Sequence, residues 1–552
     1  MERVRFPIDG VVYHSAAETA DYVANGAWVW STFGDELRAA AREKPDQPCI
    51  IADDGVFTFA QLDALSESLA RCLLEIGLAP GDRAVFQIGT VKELVVALFG
   101  CFKAAVLPVC TLPQYRDIEI EQLTTLSGAK AYFVQADFSP NFDLAAFARK
   151  MVRACPSLAT LIVARGAAEN GECALEALMT RYSRDEARER TRRVDPLPGD
   201  VAMLQLSGGS TGIPKIIPRM HAEYLGSCAS WNRRHRLGGD DVCLWALPLI
   251  HNAGMVLMLF PCLLARRPLV IQARFQIDEF LRAIKKHRVT YTGSIGPIAP
   301  SIIAHENLAN FDLSSLRMFF ALAGGEGVEK KTGVESQHMY GITEGMLMTS
   351  EPGDAIEARH GTLGWPTGMT DEVKIVEIGG TDAVAPGKTG ELCFRGPHIL
   401  RGYYNAPAIT AESFTPDGFF RSGDLVRAVR IGGHDRYFFE GRLKDNINRG
   451  GEKFGAEEVE RLIVRHPSIN DARVVAMPDP LLGEKACAFI ITKPGTSAPT
   501  VAQLGSFLTS LGLAKFKLPE RIEEIADFPV TRVGKVDKQA LRKVIADKMA
   551  AA

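Results

Sequence analysis

The chain has no CxxC pair, although its 552 residues include eleven cysteines. An odd number of scattered cysteines suits neither a disulfide framework nor a thiolate metal site, so reduced thiols in the cytoplasm are expected. The opening residues, Met1-Glu-Arg-Val-Arg-Phe-Pro7, lack the apolar stretch of a secretory leader. No stripe of Lys and Arg interleaved with aromatics is present, and the net charge is -3, which argues against a general nucleic-acid binder. Internal repeats and low-complexity tracts are absent as well. One long apolar run, residues 244–264, has the length of a membrane span. It is broken by Pro248, His251, Asn252, Gly254 and Pro261. Polar groups and prolines at its centre are costly in lipid, so it reads as a buried strand, a polar turn and a buried helix.

What is present is an ordinary globular composition, 47% apolar and 23% charged. The length calls for two or more domains. Short β-branched runs at 83–88, 107–109, 131–134, 161–164 and 201–206 read as strands. Residues 59–76 and 91–105 carry apolar positions at three- and four-residue steps and read as helices. This alternation predicts α/β layers with largely parallel sheets and helices packed on them. A boundary is expected near Gly441-Arg-Leu-Lys-Asp445, between a strand at 437–440 and a loop at 446–455 rich in Gly and charge. A helix then starts at Ala456, with Val459, Leu462 and Ile463 on one face. The expected division is a large N-terminal domain over 1–441, a hinge at 442–445 and a small α+β domain over 446–552.

The most informative segment is Ser207-Gly-Gly-Ser-Thr-Gly-Ile-Pro-Lys215, in which seven of nine residues are Ser, Thr, Gly or Lys. A strand emptying into such a loop brings backbone N–H groups and hydroxyls within reach of phosphate oxygens. A Walker P-loop is excluded, because Pro214 precedes Lys215 and Ile216 follows it.

The segment resembles the phosphate-binding signature of the adenylate-forming (ANL) superfamily, which includes acyl- and aryl-CoA synthetases, peptide-synthetase adenylation domains and luciferases. Other elements similar to that superfamily follow in order. They are Tyr340-Gly-Ile-Thr-Glu-Gly345, Lys388-Thr-Gly-Glu391, Arg395-Gly-Pro397, Arg401-Gly-Tyr-Tyr404, Arg421-Ser-Gly-Asp-Leu425, Asn448-Arg-Gly-Gly-Glu-Lys453 and Pro529-Val-Thr-Arg-Val-Gly-Lys535. The resemblance spans nearly the whole chain. It is strongest to the 2,3-dihydroxybenzoate- and salicylate-AMP ligases of siderophore synthesis. The pieces that carry it are Gly26-Ala-Trp-Val-Trp-Ser-Thr-Phe-Gly34, Leu204-Gln-Leu-Ser207, Ile217-Pro-Arg219 with His221, and His251-Asn252.

The resemblance implies ATP-dependent conversion of an aromatic or cyclic carboxylic acid to an acyl-AMP, followed by transfer to a thiol. In-line attack on the α-phosphate needs neutralised charge and close positioning, and the leaving pyrophosphate needs Mg2+. By the same resemblance, Ser207, Gly208, Gly209, Ser210, Thr211 and Gly212 hold the β- and γ-phosphates, and Lys215 adds charge. Thr343 touches the α-phosphate and Glu344 holds Mg2+. Tyr340, beside Gly341, stacks on adenine, with Gly325 and Glu326 at the ring edge. Asp424 accepts the ribose hydroxyls, supported by Arg442. Lys535 is the main catalytic residue of adenylation and His251 sits near the substrate carboxylate. Lys444 is the hinge about which the small domain turns, after which Arg449, Gly450 and Gly451 face the thiol tunnel.

The acid pocket is where the chain departs from its relatives. Asn252 resembles the amide that contacts an ortho-hydroxyl. The dihydroxybenzoate ligases continue with a Tyr-Pro-Leu-Ser-Ser-like run, whereas this chain has Ala253-Gly-Met-Val-Leu257. Leu257 stands in place of a hydroxyl, and Met339 in place of a smaller β-branched residue. A catechol hydroxyl facing Leu257 loses its partner at a cost of roughly 1–3 kcal/mol, or about ten- to a hundredfold in selectivity. A less hydroxylated ring is therefore expected: salicylate-, anthranilate- or benzoate-like, or alicyclic. The segment between Gly325 and Tyr340 is short for the long helix of the family pattern and contains Gly333.

The acceptor is open between coenzyme A and the phosphopantetheine arm of an aryl carrier protein, with Arg449, Lys515 and Lys517 suited to either. No carrier domain is expected in the chain itself. Alternatives of other kinds are a catabolic aryl- or alicyclic-acid CoA ligase, a luciferase-like oxidative enzyme and a nucleotide-binding pseudoenzyme.

Overall fold

The β-branched runs form strands and the amphipathic runs form helices, in a computed structural model that describes residues 3–207, 214–449, 452–479, 483–511, 513, 515–530 and 536–550. The chain folds as two units, one made of Met1–Glu372 with Arg395–Ser413, the other of Val373–Phe394 with Phe414–Ala552. The architecture is mixed α/β, as the alternation predicts.

The first unit holds two sheets. The seven-stranded sheet runs Cys173–Ala174, Thr160–Ala164, Ala131–Gln135, Arg83–Gln87, Leu107–Val109, Val201–Ser207, Lys215–Met220. All its pairings are parallel except the last, where Val201–Ser207 folds back on Lys215–Met220. Its strands are buried on both faces, which is why they read as unbroken apolar runs. The expected helix at 59–76 is Phe59–Glu75. It starts at a capping box, in which Thr58 accepts from the Gln61 N–H and Gln61 reaches back to the cap. The helix Lys92–Lys103 lies against it, and an added Cβ on Gly100 would sit 2.6 Å from the Leu69 side chain. The second sheet has nine strands and includes Cys243–Trp245, Tyr291–Ser294, Met318–Ala321, Ser336–Gly341 and Leu347–Thr349.

The apolar run at 244–264 resolves into the strand Cys243–Trp245, a helical turn Asn252–Gly254, a π-helical turn Met255–Leu259 and the helix Phe260–Ala265. Among the described residues no helix is long and apolar enough to cross a membrane. The segment before Tyr340 forms a single short helix, Gly325–Thr332. It ends because Gly333 adopts φ 73°, a left-handed conformation that glycine supplies without strain. None of the eleven cysteines is paired.

The second unit has a four-stranded sheet, Glu372–Val376, Gly390–Arg395, Phe420–Ile431 and His434–Arg442. A five-stranded sheet follows. In its central strand Gly483–Thr492, Ala486, Ala488 and Ile490 face one core while Cys487 and Phe489 face another. The helix Ala456–Ile463 covers the first core through Val459 and Ile463, with Leu462 partly buried. Lys538–Ala550 covers the second through Leu541 and Ile545. Period-two alternation thus lets one short sheet carry helices on both sides.

Candidate active site

The phosphate-loop candidate is a hairpin whose strands are both described. Ser207 pairs with Lys215 in antiparallel register, and Ser207 is buried. Gly208, Gly209, Ser210, Thr211 and Gly212 lie outside the described residues. Where the chain re-enters the sheet, the Lys215 ammonium stands 4.6 Å from the centre of the Tyr403 ring. That is cation–π distance.

A second hairpin presents Thr343 and Glu344. Ser336–Gly341 pairs with Leu347–Thr349, and the turn between them closes through Gly345 N–H to Ile342 O (3.1 Å) and Ile342 N–H to Met346 O (3.2 Å). Gly345 has φ 128°, and a Cβ there would fall 1.9 Å from the His398 carbonyl oxygen. Only glycine fits. Arg219, on the returning strand of the first hairpin, donates to the Thr343 carbonyl (2.8 Å) and the His398 carbonyl (3.2 Å). Its guanidinium also forms a buried ion pair with Glu223. The His398 ring bridges Asp371 (3.0 Å) and the Ala27 carbonyl (3.1 Å), while the Trp28 indole donates to the Pro397 carbonyl (2.8 Å). The Gly26-Ala-Trp28 signature therefore braces the segment that supports Glu344.

The Glu344 carboxylate is half-buried and accepts a 2.9 Å hydrogen bond from the Tyr403 hydroxyl. Burial pushes its pKa up, against the Tyr403 bond and the positive charges of Lys215 and Arg219. Among the described residues no cationic side chain lies within ion-pair distance of it.

Tyr340 and Met339 are buried in the strand before this turn. An added Cβ on Gly341 would meet the Leu347 side chain at 2.9 Å. Gly325 packs against Ser336, whose hydroxyl donates to the Gly325 carbonyl (2.6 Å). Glu326 is exposed and paired with Lys330 one helical turn on, at 2.6 Å.

On the acid side, His251 caps the turn Asn252–Gly254, its Nδ1 accepting from the Ala253 N–H (3.3 Å). Asn252 is buried, and the Tyr224 hydroxyl donates to its side-chain oxygen (2.8 Å). Leu257 sits in the π-helical turn, buried in the same apolar core as Met339, with Ala253 packed against that core. Turns of this kind are rare and recur at functional sites.

The second unit carries the remaining candidates. Asp424 and Arg442 face each other across the two long strands Phe420–Ile431 and His434–Arg442, with Nε to carboxylate 3.1 Å. Asp424 is buried, and its N–H donates to the Ser422 hydroxyl (3.0 Å). Lys444 falls in the 3-10 turn Leu443–Asp445, and Arg449 ends the strand Asn446–Arg449. Gly450, Gly451 and Lys535 lie outside the described residues.

Residues 37–404 match the family described as AMP-binding enzyme, and 458–535 match the AMP-binding enzyme C-terminal domain. The chain belongs to the AMP-binding enzyme family. The 2,3-dihydroxybenzoate-AMP ligase of Bacillus subtilis is 37% identical over 546 residues, covering 97% of both chains. Pyochelin synthase PchD of Pseudomonas aeruginosa is 36% identical, with 96% of this chain and 95% of the relative covered. Among solved structures, apo MbtA of Mycobacterium smegmatis superposes with a TM-score of 0.72 at 32% identity, covering 97% of this chain and 98% of its own.

This AMP-binding enzyme is an adenylate-forming ligase that uses ATP. Glu344 would suit a bound Mg2+: it is a carboxylate in partial burial with no ion-pair partner among the described residues, so a divalent ion would favour its charged form. Among the described residues no three His, Cys, Asp or Glu side chains are grouped so that they could hold a metal ion. One carboxylate suits Mg2+, which keeps waters and takes its other ligands from phosphates. Sequence reasoning passed over Tyr403, Glu223, His398 and Asp371. Tyr403 stands inside Arg401-Gly-Tyr-Tyr404, where a tyrosine looks like core packing. The Thr343 and His398 carbonyls that Arg219 holds are far from it in the chain and leave no local signal.

Proposed function

We propose that the enzyme activates a cyclic, aromatic carboxylic acid as its acyl-AMP and passes the acyl group to a thiol. A carboxylate oxygen of the acid forms a bond to the α-phosphorus, and the bond from that phosphorus to the bridging oxygen breaks, releasing pyrophosphate. The thiol sulfur then bonds the acyl carbon and AMP departs. Glu344 would hold Mg2+, which would supply charge neutralisation for the departing pyrophosphate. Ser207 to Gly212 and Lys215 hold the β- and γ-phosphates, Thr343 the α-phosphate, Tyr340 and Gly341 the adenine side, and Asp424 with Arg442 the ribose. His251 and Lys535 attend the reacting carboxylate. Lys444 is the hinge of a mobile C-terminal domain, and Arg449 to Gly451 serve the thiol tunnel. Eleven unpaired cysteines suit a reducing cytoplasm.

One observation carries the reading: the Thr343–Glu344 turn is tied by Arg219 and Tyr403 to the strand that leaves the Ser/Gly/Thr-rich loop. The relatives named for 2,3-dihydroxybenzoate and for pyochelin support an aryl acid and siderophore-type chemistry. Within that class, Leu257 and Met339 favour a ring without a second hydroxyl. A panel of cyclic acids in ATP–pyrophosphate exchange tests this. Salicylate-like acids should exceed 2,3-dihydroxybenzoate in kcat/KM by about tenfold or more. A catechol acid beating its deoxy analogues by tenfold contradicts it. Mass spectrometry of products formed with CoA and with an aryl carrier protein, offered separately, assigns the acceptor.

A further inference from the structure

The segment Leu400–Tyr404 crosses between the two hairpins and is stitched to both. The Leu400 N–H donates to the Glu344 carbonyl (2.9 Å), and the Tyr404 N–H donates to the Ile216 carbonyl (2.9 Å), one residue past Lys215. Gly402 has no room for a side chain: a Cβ there would lie 2.9 Å from Val12 and 3.0 Å from Thr410. The Tyr403 N–H donates to the Thr410 hydroxyl (3.0 Å), and its ring is buried. Backbone and ring are therefore fixed before any ligand arrives. From that position one side chain meets two groups of opposite charge. Its face takes the Lys215 ammonium and its hydroxyl tip takes the Glu344 carboxylate.

We propose that Tyr403 is a positioning residue that aims the Glu344 carboxylate for metal binding while parking Lys215 beside the phosphate loop. This rests on the reading of Glu344 as the Mg2+ carboxylate. A carboxylate with one oxygen held by a fixed phenol has fewer rotamers to lose when it meets a metal. A phenol is also neutral, so it orients the carboxylate without cancelling the charge that attracts the ion. A lysine or arginine at this place would pair with Glu344 and compete with the metal. The aromatic face, in turn, holds Lys215 near Glu344 without an ion pair between them.

The test uses the full-length protein and Mn2+ as the probe, read by the electron paramagnetic resonance of free Mn2+ in the presence of saturating ATP. Tyr403→Phe keeps the ring over Lys215 and removes only the hydroxyl. The expected result is about tenfold weaker Mn2+ binding, the size of a lost hydrogen bond to a charged group. KM for the acid and the melting temperature of the ligand-free protein should stay within twofold and a few degrees of the parent. Glu344→Gln should weaken Mn2+ at least as much, and adding Tyr403→Phe to it should weaken it no further. Unchanged Mn2+ affinity in Tyr403→Phe, with Glu344→Gln impaired, overturns the role of Tyr403 and leaves the site reading standing. Unchanged affinity in Glu344→Gln overturns both. Additive losses in the double variant also overturn the coupling.

Discussion

His221 follows directly on the strand that carries Arg219 and is fully buried, its Nδ1 accepting from the Phe33 N–H at 3.3 Å. Burial lowers its pKa to about 3, and burial together with Arg401 lowers that of His14 to about 4. Both are neutral in the fold, whereas an unfolded histidine titrates near 6.5. The unfolded chain therefore binds more protons below that pH. The stability these rings contribute is complete above about pH 6.5 and drains away as pH falls toward the folded values. Replacing His221 by Gln should flatten the pH dependence of urea-unfolding free energy by about 1.4 kcal/mol per pH unit between pH 4.5 and 6. An unaltered slope would show that His221 is not held neutral. At this scale the sequence puts forward residues whose place in a motif suggests their chemistry, as for Glu344, Asp424 and His251. Tyr403 was not readable, because a buried tyrosine acquires its meaning from its partner, here Glu344 at a sequence distance of 59 residues.

Among elements, the two hairpins and the segment between them matter most. The strand limits expected at 107–109 coincide with Leu107–Val109, a short apolar run buried on both faces of a parallel sheet. The π-helical turn Met255–Leu259 was not legible, because its extra residue per turn depends on packing rather than on composition. The brevity of Gly325–Thr332 was legible through Gly333, whose positive φ closes the helix. The tight turn at Gly345 gives a direct check. Gly345→Ala forces a Cβ onto the His398 carbonyl at a positive φ, and should cost at least about 2 kcal/mol in chemical denaturation. A loss under about 0.5 kcal/mol would mean that the turn relaxes freely and does not fix Glu344.

For the whole molecule, the boundary expected near 441–445 rests on a local change in composition, a loop rich in Gly and charge. The folded chain groups 373–394 with 414–552 in one unit and 395–413 with the other. That pattern arises from sheet pairing between segments far apart in sequence, which no local window reports. The chain thus passes between units three times, and the Tyr403 segment belongs to the unit that carries Glu344. The chemistry proposed for the enzyme depends on a cation from the C-terminal part, Lys535, reaching the acid and nucleotide. Preorganised charge of this kind is worth about 10²–10³ in rate. The most direct measurement is acid-dependent ATP–pyrophosphate exchange in the parent protein and in Lys535→Ala, with salicylate as the acid. Exchange that requires the acid and falls at least about a hundredfold in the variant is the predicted result. Exchange that runs without the acid, or at full speed in Lys535→Ala, would contradict the account.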